Sequence, residues 1–250
     1  VFPKFSVKVL FVVCLFQMIS VYFNMAGMRK PYKNPREVFL ESDLVSKEPF
    51  SQFQIWFEEA CKIESIMEAN AMCLATATKE GVPSARMVLL KSYGKDGFKF
   101  YTNYESRKGR ELIENPNASL CFYWEVLKRS VRIEGTVQKV GLEESEEYFQ
   151  SRPRASQIGA NVSNQSRVIA SRSVLDEKQI ELTARYADES VPVPKPDYWG
   201  GFLLVPHTVE FWQGQSNRLH DRIRFRRPAT GNTDHAHEGD DGWIYERLSP

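Results

Sequence analysis

The chain has 250 residues, of which 42% are hydrophobic and 26% charged, with a formal net charge of +1. That is an ordinary soluble globular composition, with length for one large domain or two small ones around a real core. The near-neutral balance excludes a generally basic, polyanion-coating protein, so any anion binding must come from local clusters of charge.

Residues 1–24 do not match the rest. The run "VKVLFVVCLFQMISVYF" (7–23) is mostly apolar with Lys4 and Lys8 at its start, similar to a signal-peptide h-region or a short anchor. It is barely long enough to span a bilayer. The expectation is that 1–27 form an atypical leader outside the mature protein and that 28–250 form one domain, without a membrane segment. The four cysteines, Cys14, Cys61, Cys73 and Cys121, form no CxxC pair. This argues against a zinc site or disulfide framework and fits a reducing, cytoplasmic setting.

A short amphipathic helix is expected over 49–61, with Phe50, Phe53 and Phe57 at helical spacing behind Pro49. Strands are expected at 70–78, 84–93, 97–103, 118–125 and 130–140, where β-branched and aromatic residues are frequent; "KEGVP" and "GKDG" supply hairpin turns. Helices are expected at 106–115, 142–152 and 173–187, followed by a Pro-rich connector at 191–199. Further strands follow at 200–214, 218–227 and 242–248, with a polar loop at 228–241. Strands along the whole chain with helices between them give a mainly β, α+β fold: one antiparallel barrel decorated by helices.

The chain has no GxGxxG after a strand, no Walker P-loop and no GxSxG elbow. His235 and His237 in "TDHAHEGDD" read better as a solvated loop than as metal ligands, and the Glu pairs at 143–144 and 146–147 as a solvated helix face. Cations do recur at strand ends and helix starts. Arg86 and Lys91 are expected to share one strand, and Ser106, Arg107 and Lys108 open a helix. A helix start favours an anion and disfavours cations, so Arg107 and Lys108 either meet an external anion or simply point to solvent. "SRPRASQIG" and "SNQSRV" add small donors near Arg152. If 218–227 is a strand, Arg218, His220 and Arg222 line up on one face and await an anion. Trp212 and Tyr148 are either flat ligand walls or ordinary core. The composite suits one or two phosphorylated, planar ligands.

Five segments, "EANAMCLATAT", "SARMVLLK", "FYTNYESRKG", "SRPRASQIGA" and "EFWQGQSNRLHDR", stand in the order found in the pyridoxine (pyridoxamine) 5′-phosphate oxidases. The chain closely resembles that family from about residue 28 to its end. The resemblance implies an FMN-binding split β-barrel and a homodimer with FMN at its interface. It implies FMN contacts from Arg86, Met87, Val88, Leu89, Tyr101, Thr102, Arg107, Lys108, Ser130, Arg132, Gln165, Ser166, Trp212 and Arg222. Lys91, Tyr148, Arg152, Ser156, Arg218, Leu219 and His220 are implied for the substrate, with Arg218 and His220 over its ring at the reacting carbon. The implied reaction oxidises pyridoxine 5′-phosphate or pyridoxamine 5′-phosphate to pyridoxal 5′-phosphate with O2 as acceptor, with no metal and no nucleic acid. Ser130 departs from the Gln expected there, which loses or water-bridges one hydrogen bond to FMN. A flavin reductase of the same fold, or a non-catalytic flavin or pyridoxal-phosphate carrier, are the alternatives.

Overall fold

The computed structural model describes Tyr32, residues 37–228 and residues 233–250; the expected leader lies outside the described residues. Strand β1 (Ala71–Ala77) pairs antiparallel with β2 (Pro83–Leu89) and β5 (Asn117–Trp124), and β5 pairs in turn with β6 (Arg129–Lys139). The spine of the sheet is β7, Trp199–Gln213, which pairs with β6 along most of its length. Its other edge is divided. Residues 199–204 pair with β4 (Gly97–Asn103) and residues 208–213 with β8 (Asp221–Arg226). Pro206 falls in the gap, opposite a register shift at Glu134/Gly135, and a residue with no N–H suits a place where one ladder stops and another begins. Beyond these, β3 (Ser92–Gly94) pairs with β4, and β10 (Ile244–Arg247) lies between β8 and the short β9 (His237–Glu238). β2 also approaches β4, which closes the barrel.

Helix α1 (Pro49–Cys61) plugs the barrel. Glu48 caps it by accepting from the Phe50 and Ser51 N–H groups at 2.7 and 2.8 Å. Its Phe53 is fully buried and meets Phe98, Phe122 and Tyr93 with ring centroids 4.9–5.2 Å apart. The other helices are α2 (Arg107–Glu114), α3 (Leu142–Ser151), α4 (Arg154–Val162) and α5 (Ser173–Arg185). No helix among the described residues is long and apolar enough to cross a membrane.

Two expectations are corrected. The strand expected at 84–93 is two, because pairing with β1 ends at Leu89 and Lys91 N–H instead donates to the Lys99 carbonyl at 2.9 Å; Lys91 therefore does not share a strand with Arg86. The strand expected at 218–227 begins only at Asp221. Arg218 has φ +69°, a left-handed conformation no strand contains, so Arg218, His220 and Arg222 do not form one alternating row. Helix α4 was not foreseen over "SRPRASQIG"; Pro153 stands at its N-cap.

Replacing Phe53 by Ala should cost about 3–5 kcal/mol of unfolding free energy, read from the midpoint of denaturant unfolding. An unchanged midpoint would contradict the plugged barrel.

Candidate functional site

Most of the expected site residues line one of two cavities that share no lining residue. The first, about 390 Å³, is lined by Met87, Val88 and Leu89 of β2, by Lys91, by Tyr101 and Thr102 of β4, and by Lys108, Tyr148, Arg152, Pro153, Ser156, Gln165 and Trp199. An adjoining lobe of about 380 Å³ shares six of these and adds Asn103 and the α4 residues Gly159 and Ala160.

Lys108 is the chemical centre of this cavity. Ser106 caps α2 by accepting from Gly109 N–H at 3.2 Å. A Cβ at Gly109 would lie 2.3 Å from the Tyr104 carbonyl oxygen, so only glycine lets the helix start this close to the end of β4. That seating buries Lys108, whose ammonium donates to Thr102 Oγ1 at 3.1 Å and to Ser106 Oγ and Gln165 Oε1 at 3.3 Å. All three acceptors are neutral. Burial first, and the charge of Arg86 second, hold its pKa down to about 8.

Beside it, Arg86 and Arg107 are held by one buried carboxylate. Glu111 accepts from Arg107 Nε at 2.8 Å, from Arg86 at 3.3 Å and from Thr76 Oγ1 at 2.5 Å. Burial pushes this carboxyl up, but the Thr76 and Arg107 hydrogen bonds and the two guanidinium charges outweigh it, leaving it below the usual range. Arg86 also donates to Ser84 and to the Leu74 carbonyl. Arg86 and Arg107 line neither cavity directly, and neither does exposed Ser166 (φ +68°).

An aromatic stack forms the opposite wall. Tyr101 lies on Tyr148 at 4.0 Å and beside Trp199 at 5.5 Å, all nearly parallel. Gly201 makes this possible, since a Cβ there would meet the Tyr101 ring at 2.8 Å. Burial, with the nearby Glu144 and Tyr148, pushes the Tyr101 phenol up to about 12, so it stays protonated. Arg152 lies over the Trp199 ring at 4.8 Å, a cation–π contact. Its Nη1 is buried without a hydrogen-bond partner, and burial lowers its pKa. Ser156 is in the first turn of α4, whose N-cap makes no side-chain hydrogen bond. A buried guanidinium nitrogen and a buried ammonium with only neutral partners, both facing one cavity, are a receptor for anions.

The second cavity, also about 390 Å³, is lined by Cys121, Tyr123, Ser130, Arg132, Glu210, Trp212, His220, Arg222 and Pro250. Here the expected anion for Arg222 is part of the chain. Buried Glu210 accepts from Arg222 Nε at 2.7 Å and from Arg132 at 2.5 Å, and this hydrogen bond raises Arg222 further. The Ser130 hydroxyl lies 3.6 Å from Cys121 Sγ. His220 packs on Trp212 at 4.9 Å, and Gln215 N–H donates to its Nδ1 at 2.9 Å. A backbone N–H is always a donor, so Nδ1 is the unprotonated nitrogen and Nε2 carries the proton. Arg218 and Leu219 are exposed on the loop leading to His220 and line neither cavity.

Sequence reasoning missed four participants. Glu111 and Glu210 looked like ordinary helix and strand acids, although Glu111 stands four residues after Arg107, the helical pairing distance. Trp199 sits in a run expected to be a connector. Tyr32 was seen only within the family segment, yet its ring is 5.9 Å from His220 and 6.2 Å from Trp212, and its N–H donates to Ser216 Oγ at 3.0 Å.

Two family models match the chain: pyridoxamine 5′-phosphate oxidase over residues 58–183, and the pyridoxine 5′-phosphate oxidase C-terminal dimerisation region over 199–250. The pyridoxine/pyridoxamine 5′-phosphate oxidase of Bombyx mori is 57% identical over 234 residues, covering 92% of this chain and 91% of its own. Pyridoxine-5′-phosphate oxidase of Bos taurus is 57% identical over 231 residues, covering 91% and 88%. Among solved structures, PhzG from Burkholderia lata in complex with tetrahydrophenazine-1-carboxylic acid has a TM-score of 0.74 at 30% identity, covering 85% of this chain and 98% of its own. An FMN-binding protein of Nostoc punctiforme, with a TM-score of 0.58 at 17% identity, shares the fold.

Because Lys108 sheds its proton near pH 8 when no anion is bound, affinity for a phosphate monoester should fall as pH rises from 7 to 9.5. Replacing Lys108 by Met should lower the affinity at pH 7 and flatten this dependence. An equally steep fall in that variant, measured by titration calorimetry, would place the titrating group elsewhere.

Proposed function

The chain belongs to the pyridoxine/pyridoxamine 5′-phosphate oxidase family, and from that premise we propose that its two cavities are the two halves of one FMN-dependent active site. The reaction is the oxidation of pyridoxine 5′-phosphate or pyridoxamine 5′-phosphate to pyridoxal 5′-phosphate, a step of vitamin B6 metabolism. With O2 as acceptor, the alcohol yields H2O2, and the amine takes up water and yields H2O2 and ammonia. The absence of any paired-cysteine motif in the sequence supports a reducing, cytoplasmic setting.

The observation that carries the reading is the uncompensated positive charge of the first cavity, Lys108 with neutral partners and Arg152 with a buried unpaired nitrogen. Two separate cations suit two separate phosphates, those of FMN and of the substrate. Lys108, with Thr102 and Gln165 about it and Arg86 and Arg107 braced by Glu111, fits the FMN phosphate. Met87, Val88 and Leu89 offer a strand edge to the flavin. Arg152, Ser156, Tyr148 and Lys91 fit the substrate phosphate.

The second cavity supports the remaining contacts. Arg132 and Arg222 are set by Glu210, with Ser130 and Trp212 between them. These residues lie in a different cavity from Lys108, and Trp212, His220 and Arg222 fall within the segment matched to the dimerisation region. A homodimer with FMN at the interface unites the first cavity of one protomer with the second cavity of its partner. When bound, FMN supplies a two-electron acceptor for the hydride leaving the substrate carbon. The protein's part is orientation. His220, unprotonated at Nδ1, offers Nε2–H as a donor, and so it positions the substrate without accepting a proton at Nδ1. Arg218, exposed and in a left-handed conformation ahead of the β8 ladder, is assigned to the substrate ring beside His220 on the family resemblance.

Air-equilibrated protein given pyridoxine 5′-phosphate should form pyridoxal 5′-phosphate and H2O2 in equal amounts; no aldehyde from this substrate, with peroxide formed only once a reduced nicotinamide cofactor is added as electron donor, would favour a flavin reductase, and FMN binding with neither product under either condition a carrier. Arg218→Ala should slow substrate-driven FMN reduction at least about tenfold more than it weakens FMN binding; equal losses would move Arg218 to the flavin. Ser130→Gln should tighten FMN about 2- to 10-fold, the worth of one hydrogen bond of roughly 0.5–1.5 kcal/mol. An unchanged dissociation constant in a fluorescence titration would show that Ser130 is not an FMN contact.

A further inference from the structure

We propose that Cys73 and Cys121 form a peroxide-sensitive dithiol in the wall of the second cavity, convertible to an intramolecular disulfide without rearrangement of the barrel. The two are direct register partners across β1 and β5. Residues opposite one another in an antiparallel pair point to the same face with Cα atoms about 4.5–5.5 Å apart. A disulfide accepts Cα separations of about 4.4–6.8 Å, so the backbone already meets the requirement. Both thiols are free and partly exposed. Cys73 is flanked on its face of β1 by Ala71 and Ala75, and Cys121 on its face of β5 by Ser119 on one side and Tyr123 on the other. The three small side chains leave the sulfurs room on the side away from Tyr123.

The pair is also placed where an oxidant arises. Cys121 lines the cavity containing Ser130, Trp212 and Arg222, and its Sγ lies against Ser130 on β6, the strand on the side away from Cys73. Closure therefore requires a χ1 rotation of Cys121 toward β1, an ordinary rotamer change. The inference rests on the proposed function for its oxidant: the H2O2 released at the flavin half-site. The Cys121 thiolate attacks one peroxide oxygen, the O–O bond breaks, and the leaving hydroxide takes up the thiol proton as water. The sulfenic acid so formed is attacked by the Cys73 sulfur, forming the S–S bond and releasing a second water. In sum, two thiols are oxidised to one disulfide while one H2O2 is reduced to two waters. Cys61, exposed at the end of α1, has no cysteine opposite it in a strand and serves as an internal measure of oxidant exposure.

The test is peptide mapping by mass spectrometry without reduction, on FMN-loaded protein turning over pyridoxine 5′-phosphate in air and on the same protein given H2O2 directly. The expected result is a Cys73–Cys121 cross-linked peptide lacking two hydrogens. It should accumulate with turnover, diminish at least twofold with catalase, revert with dithiothreitol, and be absent from Cys121→Ser and Cys73→Ser. If added H2O2 oxidises Cys61 and leaves 73 and 121 uncross-linked, the proposal is overturned. If added H2O2 forms the cross-link but pyridoxine 5′-phosphate yields no peroxide, the dithiol stands and the substrate assignment fails.

Discussion

Burying a positive charge without a negative one is the constraint on which this site is built. Moving an ammonium or guanidinium out of water is costly unless a partner repays it. In the first cavity the fold leaves that debt at Lys108 and Arg152. Seating α2 against the end of β4 through Gly109 buries Lys108, and the Tyr101–Tyr148–Trp199 stack covers Arg152. One phosphate at each cation balances it. Ligand binding and local stability are thus one quantity here, and the anion-bound protein is the better-balanced state.

Where the chain supplies its own anion, the purpose differs. Glu111 and Glu210 are each buried and each joins two arginines, Arg86 with Arg107 and Arg132 with Arg222. A carboxylate between two guanidinium groups fixes their planes; the Glu111 set keeps a net positive charge, while Glu134, 2.9 Å from Arg132, balances the second set. The two cavities therefore share a construction. Arginines beside each are oriented by an internal acid, while two cations lining the first cavity, buried Lys108 and half-buried Arg152, are left for ligands.

Most of the fold was legible in the sequence, because buried strands and the helices between them have strong periodicities. The boundaries that failed did so for local reasons. β2 stops at Leu89 since Lys91 bonds to Lys99, and β8 starts late because Arg218 adopts a left-handed backbone. Spacing within "NRLHDR" could not reveal that conformation, and so the single row of Arg218, His220 and Arg222 was an artefact of assuming a strand. The cationic site residues were visible as charges placed where a helix or strand tolerates them poorly. Their acidic braces were not, because the pairing of Glu210 on β7 with Arg132 on β6 depends on cross-strand register set far along the chain.

That each active site joins the first cavity of one protomer to the second cavity of its partner is the central claim, and mixing two inactive variants tests it most directly. Lys108→Ala disables the first cavity and Arg222→Ala the second. If each active site takes one cavity from each protomer, unfolding and refolding the two together yields half heterodimers, each with one intact site, and about a quarter of wild-type activity returns. Activity that stays at the level of the separate variants, in mixtures shown to contain heterodimer, would contradict a site shared between protomers.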